Sequence, residues 1–165
     1  MKKAIYILLT FMMSFSFTSC LESDEFDGLT DNKPEIAIMF PGRTYDQQVG
    51  LGFIAEGYGA NPDITYTMMV DGGNATIDRI LKVEGRAGDV NLGVCSSFAT
   101  VENDAITVNA ETFDYTRSLD FFRESPALCD ESLDKPDTYY ELIFTIQLTN
   151  GDQIVTMPVR GIFKQ

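Results

Sequence analysis

The sequence predicts an all-β domain built as a single two-sheet sandwich, with a small β-barrel as the alternative. Three features of the chain lead there. In the closing segment, Tyr140, Leu142, Phe144, Ile146 and Leu148 fall on every second position, the period of a half-buried strand. Asn150-Gly151 follows, a favoured type I′ turn pair, and a second alternating run continues to Phe163, so the chain is expected to close on a long β-hairpin. Upstream, short apolar segments alternate with clusters of Gly, Pro, Asn and Asp, giving eight or nine expected strands in all. No stretch carries a long helical period.

Taken in order, Glu35 to Phe40 places Ile36, Ile38 and Phe40 on one face between Pro34 and Pro41, which predicts an edge-capable first strand. Gln47 to Ala55 is read as the second strand, with Gly50 and Gly52 marking a bulge or a close backbone approach. Glu56 to Asp63 is a loop by composition, and Tyr58 sits in it between two glycines, a setting that suggests exposure. Ile64 to Val70 is the third strand. Asp71-Gly72-Gly73-Asn74 is a strong turn signal and predicts a hairpin into a strand over 75–83. Val90, Leu92 and Val94 predict a strand over 89–95, and 105–109 another. Thr112 to Phe122 begins with strand alternation and can turn helical from Ser118. A polar loop spans 124–138. Pro158 places the last strand at an edge or makes it bulged.

In number of strands and in the closing hairpin, residues 34–165 resemble an immunoglobulin or fibronectin-III domain, in architecture only. The chain has no tryptophan, so the Cys–Trp–Cys core of antibody domains is absent.

The chain of 165 residues divides on composition into a leader over 1–19, an acidic tether over 20–33 and one folded domain over 34–165, a domain long enough to bury a proper core. Met1-Lys2-Lys3 is basic, Ala4 to Phe17 is almost wholly apolar, and Thr18-Ser19 are small. Such an order is that of a secretory signal. The apolar run is shorter than the ~20 residues that span a bilayer. Phe17-Thr18-Ser19-Cys20 resembles the lipobox of bacterial lipoproteins, with Phe17 where Leu is usual. The resemblance implies cleavage before Cys20, acylation of Cys20, and a membrane association made through that lipid. An uncleaved anchor and an unlipidated secreted chain are the other readings. Ser23-Asp24-Glu25-Phe26-Asp27, just after Cys20, resembles the acidic surface-export signal of Bacteroidetes lipoproteins. That resemblance implies an outer-membrane protein exposed at the cell surface. The plainer reading of the same residues is a solvated tether extended by its own repulsion.

The net charge is −13, from 12 basic and 25 acidic residues. Losing Lys2 and Lys3 leaves ten basic against 25 acidic residues, or −15. Nucleic acid is excluded as a partner by that balance, because its binding depends on neutralising phosphates. So is lying flat on an anionic membrane. With Cys20 acylated, Cys95 and Cys129 remain in an oxidising compartment. A bridge between them would close a loop of about 34 residues, adding roughly 3–4 kcal/mol in the chain-entropy model. Two buried thiols are the alternative.

The absence of histidine removes Ser-His-Asp and Cys-His catalysis and the usual zinc sites. No phosphate-cradling or nucleophile-elbow motif is present. Acids over 124–137 and Asp71 could offer oxygens to calcium, but without the spacing of a calcium loop. No metal or cofactor is therefore expected. For sugar stacking, Tyr58 is the expected ligand contact, ahead of Tyr45, Tyr115 and Tyr139. The expectation is a non-enzymatic surface lipoprotein that binds a glycan or an envelope protein. A structural or assembly subunit of an envelope complex is the alternative class. A small glycan hydrolase, using a carboxylate pair, is a weaker one.

Overall fold

The computed structural model describes residues 35–89, 93–94, 97–125 and 138–165. The leader, Cys20, the acidic run Ser23 to Asp27, and both Cys95 and Cys129 lie outside the described residues.

The described chain is an all-β sandwich. Its strands are β1 (Ala37–Met39), β2 (Thr44–Asp46), β3 (Gly50–Ala55), β4 (Asp63–Asp71), β5 (Ile77–Asp89) and β6 (Gly93–Val94). Then come β7 (Ala99–Glu102), β8 (Ile106–Ala110), β9 (Thr112–Ser118), β10 (Thr138–Leu148), β11 (Gln153–Val155) and β12 (Val159–Phe163). A short helix, α1 (Leu119–Glu124), follows β9. The smaller sheet has the order β1-β4-β9, and the larger runs β2-β3-β12-β10-β5 with β6, β7 and β8 along β5 and β11 beside β10. Strands β4 and β9 face β10 and β12 across the sandwich. All described pairings are antiparallel except β3 with β12, which is parallel, with Ile162 opposite Ile54. No described helix is long and apolar enough to cross a membrane.

The period-2 pattern of β10 is realised as expected. Leu142, Phe144, Ile146 and Leu148 are all buried, facing β4 and β9 across the sandwich. Phe144 meets Tyr115 and Tyr66 edge-on, with ring centroids 5.2 and 6.2 Å apart, the arrangement favoured by the ring quadrupoles. Ser118 ends β9 and caps α1, its hydroxyl accepting from the Phe121 N–H. Phe122 of α1 then stacks on Tyr140 at 4.7 Å and meets Phe163 at 5.8 Å, plugging one end of the core.

Five expectations are corrected. Strand β5 does not stop at Val83 but continues through Gly85 and Gly88 to Asp89. Gly88 is small for a reason: a Cβ there would run into the Tyr139 ring. The turn at Asp71-Gly72-Gly73-Asn74 makes no hairpin, since β4 and β5 belong to different sheets and the turn carries the chain between them. The closing hairpin is not a two-residue type I′ turn. Only Gly151 has a positive φ, +94°, and Asn150 does not. Gly151 N–H donates to Leu148 O, and Leu148 N–H to Asp152 O, which makes a three-residue loop with a glycine bulge. The return limb is also broken in two. Thr156, between β11 and β12, gives its N–H to Phe144 O and accepts the Phe144 N–H on its hydroxyl, so its side chain replaces a strand carbonyl just before Pro158. Finally, β2 is an additional short strand before the expected second one.

Candidate functional site

The β4–β5 crossover, the β10–β11 tip and the run-in to β1 converge at one end of the sandwich. Gly72 and Gly73 hold positive φ values of +91° and +64°. A Cβ on Gly72 would collide with Glu35 O, and one on Gly73 would press on the Ile36 side chain at 2.9 Å. Two glycines in succession therefore do what the turn signal alone did not reveal: they let the start of the first strand lie against the crossover. The tip is hooked to the same crossover. Thr149 N–H donates to Thr76 O, and Thr76 N–H donates to the Thr149 hydroxyl at 3.1 Å. Asn150 locks the tip by accepting from Asp152 N–H and donating to its carboxylate.

Two adjoining hollows result, of about 370 and 280 Å³, sharing Glu35 and Ile36 as a common wall. The first is completed by Asn74, Ala75, Thr149 and Asn150. The second is completed by Leu148, Asp152, Gln153 and Ile154. Ile36 and Ile154 are half-buried and pack on the core, while Asn74, Gln153 and Glu35 are exposed. Both hollows open to solvent, with Ile36 and Ile154 on the floor and polar and apolar groups mixed along the walls.

Tyr58 is elsewhere. It lies in a 3₁₀ turn just before β4, at the end where Asp63 pairs with Ser118, opposite to the cleft at the Asp71 end. Its ring is not the exposed platform that the flanking glycines suggested: it is half-buried, packs on the core, and carries the Arg123 guanidinium 4.9 Å from its centroid. Tyr115 is fully buried and Tyr139 nearly so, whereas Tyr45 is 72% exposed. Among the described residues no group of three or more His, Cys, Asp or Glu is placed to hold a metal ion.

Two charge networks were not legible in sequence. On the outer face of the large sheet, Glu141 on β10 lies directly between Arg86 on β5 and Arg160 on β12. It accepts from Arg86 Nε at 2.6 Å and from Arg160 Nε at 2.8 Å. Arg86 stacks over Phe98, and Arg160 over Tyr139. At the side of the sandwich, Glu102 on β7 accepts from the Tyr115 hydroxyl and from Arg117, both on β9, at 2.6 Å. That contact clasps the large sheet to the small one. Burial raises the Tyr115 phenol well above its ordinary value, and the bond to Glu102 adds to the rise. Both networks are internally satisfied and read as structural.

No family model matches the chain, and no curated protein matches it. Among solved structures, the chain is similar to an ApaA-designated protein from Bordetella pertussis. The identity is 12%, over 75% of this chain and 85% of that one, with a TM-score of 0.35.

Proposed function

We propose that the chain is a lipid-anchored, non-enzymatic protein of the outer membrane, exposed at the cell surface, whose sandwich binds a glycan or an envelope protein. The observation that carries the binding role is the cleft at the loop end, where side chains able to hydrogen-bond surround an apolar floor. The address rests on the lipobox-like Phe17-Thr18-Ser19-Cys20 and the acidic run Ser23 to Asp27. One acyl chain alone binds only marginally, and stable anchoring takes a second. The chains on Cys20 would supply the anchor, while the acidic run keeps the tether hydrated and off anionic headgroups.

The assembly-subunit reading is favoured by a different observation. Tyr45 on β2, together with Val155 and Met157 around the end of β11, is exposed at the margins of the large sheet, where strands can add partners. A glycan screen and a pull-down from envelope extract, both on protein starting at Phe26, separate the classes. Sugar binding supports the module, a stable protein partner without sugar binding supports the subunit, and turnover of any glycan supports the hydrolase. For the address, Cys20→Ala is expected to release or mislocalise the protein. Replacing Asp24, Glu25 and Asp27 together by Ala is expected to leave it lipidated but inward-facing. External protease on intact cells reads the difference, and equal digestion of the triple variant and wild type reduces the acidic run to a tether.

A further inference from the structure

We infer that the cleft between the β4–β5 crossover and the β10–β11 tip is a subsite for a neutral, hydroxyl-rich saccharide. The inference rests on the binding-module reading and names its ligand. Charge comes first. Glu35 and Asp152 stand on the rim, and no lysine or arginine is among the described lining residues, so an anionic sugar or acidic peptide meets repulsion without compensation. Hydrogen bonding comes second. The Asn74 and Gln153 carboxamides and the Glu35 carboxylate have no hydrogen-bond partner among the described residues. A carboxamide offers a donor and an acceptor side by side, the pairing that two neighbouring sugar hydroxyls satisfy.

The floor comes third. Ile36 and Ile154 are aliphatic and anchored in the core, which suits the C–H face of a sugar ring and does not require an aromatic platform. Rigidity comes last. The two Thr76–Thr149 bonds and the glycine-permitted contact of Gly72 with Glu35 fix the walls before any ligand arrives. Little ordering cost then falls on binding. A polypeptide partner would need extended apolar contact, and the rim is instead a ring of exposed polar side chains.

The test uses the full chain purified in detergent and a calorimetric titration with malto-, cello- and manno-oligosaccharides, with a uronate-containing oligosaccharide as the charged comparison. At least one neutral oligosaccharide is expected to bind, and the uronate not to. Asn74→Ala and Gln153→Ala should each weaken binding by about two- to tenfold, the range of one net hydrogen bond. Both positions are exposed, so the fold should hold within ~0.5 kcal/mol, checked by the unfolding midpoint. Sugar binding that ignores both variants but is lost in Tyr58→Ala overturns the cleft assignment and leaves the module reading standing. Preference for the uronate overturns the charge argument. No binding of any neutral oligosaccharide at millimolar concentration overturns the inference, and the pull-down then decides the module reading separately.

Discussion

The phenol of Tyr66 is fully buried, and its hydroxyl has no hydrogen-bond partner among the described residues. It occupies the space that Gly161 leaves open, since a Cβ on Gly161 would collide with it. An unsatisfied buried hydroxyl costs about 1–3 kcal/mol. Tyr66→Phe keeps the ring against Phe53 and Phe144 and removes only the oxygen, so it should raise the urea midpoint by an amount equivalent to about 1 kcal/mol. A fall would reveal a partner for the hydroxyl. Glu141 is the opposite case, a buried charge with its needs met twice over. Glu141→Ala leaves Arg86 and Arg160 facing each other across β10 and should destabilise. The loss should be about 1–3 kcal/mol, below the value for a fully buried pair because Arg160 is 39% exposed and water screens what remains. An unchanged midpoint would show that solvent already carries both guanidinium groups.

Strand β10 and the turn that ends it separate what sequence can specify from what it cannot. The inner face of β10 was legible because every second residue is large and apolar, and burial followed that period from Leu142 to Leu148. Phe144→Ala should therefore cost about 3–5 kcal/mol, read as a shift in the denaturation midpoint. The turn was legible as a turn but not in its type. Whether Asn-Gly closes two residues or three depends on where the return strand must sit, and that is set by Thr156 bonding Phe144 from outside the turn. Gly151 can be tested cleanly, because nothing lies within 4 Å of the position a Cβ would take. Gly151→Ala should cost about 1–2 kcal/mol from its positive φ alone, and a much larger loss would mean that the tip, and with it the cleft, had rearranged. Long-range matters were illegible for the same reason. The reach of β5 past Val83 was not legible because what fits Gly88 into the strand is the ring of Tyr139, 51 positions on. Tyr58 read as exposed because its cover, Arg123, comes from α1. The cleft was missed because Asn74 and Gln153 are far apart in sequence, and the turn signal at 71–74 says nothing about which sheet the chain enters next.

At the scale of the whole molecule, the sandwich is held by an aromatic core that joins the two sheets, and two of its members make stability depend on alkaline pH. Tyr66 and Tyr115 come from adjacent strands of the small sheet, with ring centroids 6.3 Å apart. Burial pushes both phenols up from their ordinary value of 10.0, and for Tyr66 the neighbouring Tyr115 and Tyr140 add to the rise. In the unfolded chain each phenol loses its proton near pH 10, whereas the folded protein keeps both. The folded state then binds more protons than the unfolded one, so the contribution of these two phenols is constant below about pH 10 and falls as pH rises above it. Each such group contributes about 1.4 kcal/mol per pH unit, and the pair about 2.7 kcal/mol per unit. Absorbance of tyrosinate followed against pH should show these two phenols ionising only together with loss of the β-sheet dichroism. Tyr66→Phe should lower the slope by about 1.4 kcal/mol per unit while leaving the neutral-pH plateau no lower than wild type. Asp46 governs the other side. Its hydrogen bond to Lys164 holds its carboxyl below the ordinary 3.8 in spite of partial burial, so the stability it adds is present above that value and is lost as pH falls through the lowered one. Asp46→Asn should flatten the acid limb and leave the alkaline limb untouched. An alkaline slope unchanged by Tyr66→Phe would show that Tyr66 ionises in the folded protein, and that water reaches the centre of the sandwich.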